Sequence, residues 1–218
     1  MIFNELKNLE QGKTSAKLIK DSIYGSKEII DNGKTITLKE YGIFNKKHDH
    51  RYDHRYYLKV NICKDNEKKN SLIVIMLNPS QSGREHKDIF VDKTITNVVK
   101  IANDNNYNEI TILNLFSVIE PKSNDVDFSK VDEDNLKFLQ EFLKETNDKI
   151  LVAWGWRFKN NNNKIKDLIK ILQNKPKEQV VTFASKTDFP KHPGRMSIEY
   201  IRKKFGSNNK AILKPYKF

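Results

Sequence analysis

The sequence predicts an α/β fold with a central four-stranded parallel sheet, helices on both faces, and β additions at the N-terminal end. Three observations carry this expectation. Four short runs of continuous apolar residues recur along the chain at 71–77 (SLIVIML), 110–116 (ITILNLF), 149–154 (KILVAW) and 179–184 (QVVTFA). Amphipathic helical patterns separate them. Two earlier segments, 34–44 (KTITLKEYGIF) and 55–62 (RYYLKVNI), alternate apolar and polar side chains instead. Continuous Ile, Val and Leu is what a strand covered on both faces requires, whereas alternation suits a strand with one wet face. Strands that alternate with helices read as βαβ units around a parallel sheet.

The helices follow from apolar spacing at i, i+3, i+4 and i+7. Ile95, Val98, Val99 and Ala102 mark the first. Leu136, Leu139 and Leu143, flanked by Phe138 and Phe142, mark the second, and Ile165, Leu168, Ile169 and Leu172 the third. Ile198, Ile201 and Phe205 suggest a last helix with Ser197 as its N-cap, and Asp92 reads as the N-cap of the first. In the polar, Lys-rich first thirty residues, Leu6, Leu9, Leu18, Ile19 and Ile23 offer a weak helical face. The chain therefore divides into an N-terminal extension over 1–70, with a helix and antiparallel strands packed on the core, and an α/β core over 71–218. The stretches 64–70 (KDNEKKN) and 159–164 (KNNNNK) are polar loops, and no internal repeat is visible.

Composition narrows the function classes. A chain of 218 residues can bury a substantial core as one domain, and a monomer is expected. No apolar run approaches the roughly twenty residues of a membrane span, and the first residues lack a secretory pattern, so the cytoplasm is the default address. Cys63 stands alone, which excludes an intrachain disulfide and a cysteine metal cluster. Forty Lys and Arg against twenty-eight Asp and Glu give a formal charge of +12, which favours a polyanion such as DNA. The basic residues are spread rather than striped, so charge permits nucleic-acid binding without establishing it.

In open α/β sheets, ligands bind beyond the carboxyl ends of the strands. The first apolar run leads into Asn78-Pro79-Ser80. The second contains Asn114, the third ends in Trp154-Gly155-Trp156, and the fourth leads through 185–191 to His192-Pro193-Gly194-Arg195-Met196. Amides, an aromatic ring and an imidazole would thus meet on one rim. Asn78 is also a natural turn former before Pro79. Asn114 is harder to assign to structure alone, because an amide buried in a strand is costly without a partner. Trp154 and Trp156 read first as packing residues.

Other motifs carry less. His48, Asp49, His50, Asp53 and His54 crowd together before a strand without distant ligands, and read as loop residues rather than a metal site. Gly12-Lys13-Thr14 imitates the end of a P-loop, but Lys7 stands where the earlier glycine belongs and no strand precedes it. No GxGxxG occurs, and no cofactor is expected.

The four rim segments, in this order, resemble the motifs of the uracil-DNA glycosylase superfamily over roughly 71–205, and in particular its MLNPS branch. Met76 to Ser80 matches the Gly-Gln-Asp-Pro-Tyr or Gly-Ile-Asn-Pro loop. Ile112-Leu113-Asn114 matches a Leu-Leu-Asn strand, Ala153-Trp154-Gly155 a Leu-Trp-Gly strand end, and His192 to Met196 the His-Pro-Ser-Pro-Leu motif. The resemblance implies a uracil-DNA glycosylase-like fold and a DNA partner. It gives Asn78 the role of orienting the attacking water and His192 that of donating to the departing base. Asn114 would read the Watson–Crick edge of a flipped base, with Ser80 and Phe90 lining the base pocket. Met196 falls at the wedge that fills the emptied stack. Arg84, Lys191 and Arg195 are the phosphate-directed cations.

Departures from the pattern shape the expected activity. Asn78 replaces the aspartate of the most active branch, and Ser80 the Tyr that excludes larger bases. Gly194 and Arg195 stand for Ser and Pro. Ordinary uracil excision is expected to be weak or absent, with a modified base an open alternative. Glu85 and Asp88 could supply the missing carboxylate. Two other readings stay open: a silent relative that binds DNA or a DNA-mimicking glycosylase-inhibitor protein, and a nucleotide-handling enzyme.

Overall fold

The computed structural model describes residue 6, residues 21–44, 54–63, 68–79, 92–120, 127, 131–155, 163–184 and 189–218. Eight strands form one sheet: β1 (Asp21–Asp31), β2 (Lys34–Phe44), β3 (Arg55–Ile62), β4 (Ser71–Met76), β5 (Glu109–Asn114), β6 (Lys149–Val152), β7 (Val180–Thr182) and β8 (Lys214–Pro215). Among the described residues, the helices accompanying them include α1 (Lys93–Asp104), α2 (Glu133–Glu145), α3 (Asn163–Gln173) and α4 (Ile198–Phe205). The sheet order is β1-β2-β3-β5-β4-β6-β7-β8.

At the centre β5, β4, β6 and β7 run parallel, which is the four-stranded core read from the apolar runs. β1, β2 and β3 continue the sheet antiparallel from the β5 edge, and β8 closes the other edge against β7. The short β8 had no signal in the sequence pattern. β1 overturns one expectation: Ile23, read as part of a helical face, lies in a strand of eleven residues paired with β2. Tertiary pairing wins there over a weak period. Leu6 is helical and buried, while Leu9, Leu18 and Ile19 lie outside the described residues.

The pleat sends alternate side chains into two cores. On one face Leu72, Val74 and Met76 of β4 and Ile110 and Ile112 of β5 meet Ile95, Val98 and Val99 of α1 and Ile198 and Ile201 of α4. On the other, Ile73, Ile75 and Leu113 meet Phe138 and Leu139 of α2 and Ile165 and Leu168 of α3. Burial on both faces explains why these strands read as unbroken apolar runs.

Numbered within the parallel core, the strand order is 2-1-3-4. The connection from β4 runs through α1 on one face, and that from β6 through α3 on the other. The chain therefore diverges between the carboxyl ends of β4 and β6, the switch point where doubly wound sheets open a crevice. Among the described residues no helix is long and apolar enough to cross a membrane.

Candidate functional site

Asn78 stands two residues beyond β4. Its amide is oriented without ambiguity, because Nδ2 donates to the carbonyl oxygens of Glu120 (2.8 Å) and Pro79 (3.0 Å). A flipped amide would set Oδ1 against two carbonyls. With both N–H groups engaged on the backbone, Oδ1 is the atom left to accept a hydrogen bond from a ligand or a water. The Glu120 carbonyl is held in turn: Leu115, Phe116 and Glu120 donate their N–H groups to Met76, Leu77 and Pro79. The segment after β5 thus runs beside the segment after β4.

Asn114 is opposite Met76 in the register. It alternates with Leu113 and Leu115, which join the α2–α3 core, so its side chain belongs to the α1 face with Ile110 and Ile112. It is 0% exposed, and neither Nδ2 nor Oδ1 makes a hydrogen bond to any described residue. Leaving a buried amide unsatisfied costs about 1–3 kcal/mol, which makes such groups rare in a native fold. The backbone beneath it is firmly held, since Nδ2 of Asn135 in α2 donates to the carbonyls of Asn114 (3.1 Å) and Leu115 (3.3 Å).

His192 crosses the end of β6. Gly155 has φ +82°, and a Cβ there would lie 3.2 Å from Cβ of His192, so the backbone of the third motif makes room for the fourth. His192 caps the 3-10 turn Pro193–Arg195, its Nδ1 accepting the N–H of Gly194 at 3.1 Å. An accepting Nδ1 leaves the ring proton on Nε2. Burial and, less strongly, the Arg195 guanidinium push the imidazole pKa down to about 4, against a smaller upward pull from Asp92. At neutral pH His192 is therefore an uncharged donor through Nε2–H.

The turn rests on α1, where Asp92 and Ser197 take the N-cap roles read for them on α1 and α4. Asn97 of α1 is buried and donates from Nδ2 to Pro193 O and Met196 O, both at 2.9 Å. Met196 is half-buried and packs against the α1–α4 core. Arg195 is exposed, and Lys191 places Nζ 5.1 Å from the centre of the Phe189 ring. The strand ends thus bring Asn78, Asn114 and His192 to one edge of the sheet, with Asn114 and the His192 turn on the α1 face. Ser80, Arg84, Glu85, Asp88, Phe90 and Trp156 lie outside the described residues. Trp154 is buried edge-on to Tyr216, which fits its reading as packing.

A second polar cluster adjoins this edge. Ser117 Oγ donates to Asp132 Oδ2 at 2.7 Å, and His54 Nδ1 lies 2.7 Å from Ser117 Oγ and 3.3 Å from Asp132 Oδ2. The residue types are those of a hydrolase triad, but the wiring is not. The serine is 1% exposed and donates its hydroxyl hydrogen bond to a carboxylate whose basicity is lowered, so it is neither accessible nor activated as a nucleophile. Burial opposes the Asp132 charge, yet the hydrogen bonds from His54, Ser117 and the Asn135 N–H outweigh it and hold its pKa well below the usual range. Asp132 also N-caps α2, so the cluster ties that helix to the end of β5. Of the dense histidine segment only His54 is described, and it is engaged here. Among the described residues, no group of three or more His, Cys, Asp or Glu is placed to hold a metal ion.

Sequence reasoning missed Asn97, Asn135 and the Glu120 carbonyl. Asn97 had one legible signal, a polar residue four positions before Ile101 on the buried side of α1.

No curated protein matches the chain. Among solved structures, a crystal structure described as a "putative hydrolase" from Agrobacterium vitis S4 is similar over 73% of this chain at 10% identity, with a TM-score of 0.26. The chain spans about half of that protein (49%), and so loose an overlap informs neither fold nor chemistry. A family model described as "Protein of unknown function (DUF1643)" matches residues 55–194, from the start of β3 into the His192 turn. More than half of the chain is covered, and the protein belongs to the DUF1643 family.

Proposed function

We propose that this protein is a uracil-DNA glycosylase-like DNA-binding protein whose rim pocket takes a flipped base. The observation that carries the reading is Asn114, fully buried at the carboxyl end of β5 beside β4, with donor and acceptor both unused among the described residues. An amide offers a matched N–H and C=O pair, the complement of a base edge that presents one acceptor and one donor side by side. The neutral His192 and the oriented Oδ1 of Asn78 stand on the same edge, and the four rim motifs resemble those of the superfamily in type and order.

The chemistry follows from these groups. When a glycosidic bond breaks, its electron pair leaves with the base nitrogen and positive charge develops on the sugar. Water then bonds to the anomeric carbon, and the proton it loses ends on the departing base nitrogen, directly or through solvent. Nε2–H of His192 can stabilise the departing base, a contribution of about 3 kcal/mol for a well-placed donor. Oδ1 of Asn78 can accept from the attacking water and orient it, but an amide takes no proton and offers little to the cation. Ordinary uracil excision should therefore be slow or undetectable, with a modified base that leaves more easily as the better substrate.

The same feature of Asn78 favours a second reading, a silent glycosylase relative that binds DNA or a DNA-mimicking inhibitor protein. An abasic-site assay on duplexes carrying a panel of modified bases separates the two. Strand scission after alkali for any base, lost in His192→Ala, supports an enzyme. Asn78→Asp should raise uracil excision. If no variant cleaves and no oligonucleotide binds at low salt, the base-pocket reading fails. Where binding is seen it should weaken steeply with salt, since phosphate contacts made by Lys191 and Arg195 release counterions.

A further inference from the structure

The His192 turn is three residues long and has no strand to hold it. Its position depends on two contacts from α1. From below, the Asn97 side chain spends both N–H groups on the turn, one on the carbonyl of Pro193 and one on that of Met196, each at 2.9 Å. These carbonyls bracket the loop, so one buried amide fixes both ends of it. From beside, Thr94 sets the clearance. A Cβ on Gly194 would lie 2.2 Å from Thr94 Oγ1 and 3.2 Å from the Nδ1 and Cε1 atoms of His192. Threonine on a helix is confined to two χ1 rotamers, which leaves its hydroxyl few places to retreat. Only glycine fits between that hydroxyl and the imidazole, and its N–H is the one that Nδ1 accepts.

We propose that Asn97 is the positioning residue of the rim: with Thr94 and Gly194 it fixes the His192 turn against α1 and thereby selects the His192 tautomer that donates from Nε2. The inference concerns the imidazole and its support. It draws its functional meaning from the base-pocket reading, but its geometry stands apart from it. The charged groups that act on the ring are Arg195 in the turn and Asp92 at the start of α1, and both would shift relative to it if the turn loosened.

The test follows the His192 ring in the full chain by NMR with labelled histidine, titrated between pH 4 and 8, with His192→Gln assigning the signal. In the wild-type protein the ring should be neutral and protonated on Nε2 over most of this range. Asn97→Ala, verified as folded by circular dichroism, should raise the midpoint toward the ordinary histidine value by about one pH unit or more and mix the tautomers. Gly194→Ala should do the same from the other side. Thr94→Ala added to Gly194→Ala removes the obstructing hydroxyl and should return the signal to its wild-type position. The Gly194 and Thr94 pair keeps the test open should Asn97→Ala fail to fold. An unchanged titration in folded Asn97→Ala, or no recovery in the double variant, overturns the proposal. A shift in these variants alongside a protein that binds no oligonucleotide leaves the positioning role intact and removes the base-pocket reading instead.

Discussion

Two buried polar regions of this molecule solve the same problem in opposite ways. At the far side of the α1–α4 layer, Arg202 is 3% exposed and its guanidinium is fully engaged. Nη1 and Nη2 fork onto Asp31 at 2.9 Å each, and Nε and Nη2 fork onto Asp104 at 2.8 Å each. Asp104 also accepts the Ala211 N–H, and the Asn32 side chain accepts from Nη1 at 3.3 Å. This closed network clasps the tip of the β1–β2 hairpin to α1 and α4. At the carboxyl end of β5, Asn114 is more deeply buried still and makes no side-chain hydrogen bond to any described residue. A satisfied network is how a fold spends polar groups on its own architecture. An unsatisfied amide costs stability, so it calls for something that completes it, such as a bound water or a ligand.

The largest effect expected from this contrast is at the clasp. Arg202→Ala strands two buried carboxylates and should destabilise the fold by about 3–5 kcal/mol, read from the midpoint of urea unfolding. A loss below about 1 kcal/mol would mean that the network is incidental. Asn114→Leu should have the opposite sign. It replaces an unpaired amide with an apolar group of similar size and should stabilise by about 1–3 kcal/mol in the same assay.

Next comes the acid range. His192 has a pKa lowered to about 4, so folding favours its neutral form and the unfolded chain binds the extra proton. Its contribution is fully present above about pH 6.5 and is lost as the pH falls toward 4, amounting to about 3 kcal/mol. His192→Gln should flatten unfolding free energy across that window. Asp132 acts lower. Its depressed pKa supplies stability above about pH 4 that fades only below that value, so Asp132→Asn should act at neutral pH and change little in strong acid.

The sheet was legible because burial on two faces leaves an unmistakable mark, runs such as SLIVIM with no polar break. Helix starts were legible at Asp92 and Ser197, where a short polar side chain must satisfy free N–H groups. The hairpin strand β1 was not, because Ile23 and its neighbours carry no strict alternation and the pairing with β2 is what defines them. Asn78, Asn114 and His192 could be named from the apolar runs and the segments that follow them, and of the three only Asn114, an amide inside an apolar strand, breaks a local rule. Their supports could not be named. Asn97 and Asn135 act on backbone carbonyls 96 and 20 or more residues away, contacts that leave no spacing signal.

Whether the Asn114 amide is kept unpaired for a base can be read in one binding measurement. Wild-type protein and Asn114→Leu would be titrated by fluorescence polarisation against single-stranded and mismatch-containing duplex oligonucleotides at low salt. Loss of a bidentate amide–base contact is worth about 1–3 kcal/mol, so the variant should bind about tenfold more weakly or worse while unfolding at higher urea. Equal affinity in a variant that is no more stable would show that Asn114 is neither a base reader nor an unsatisfied group.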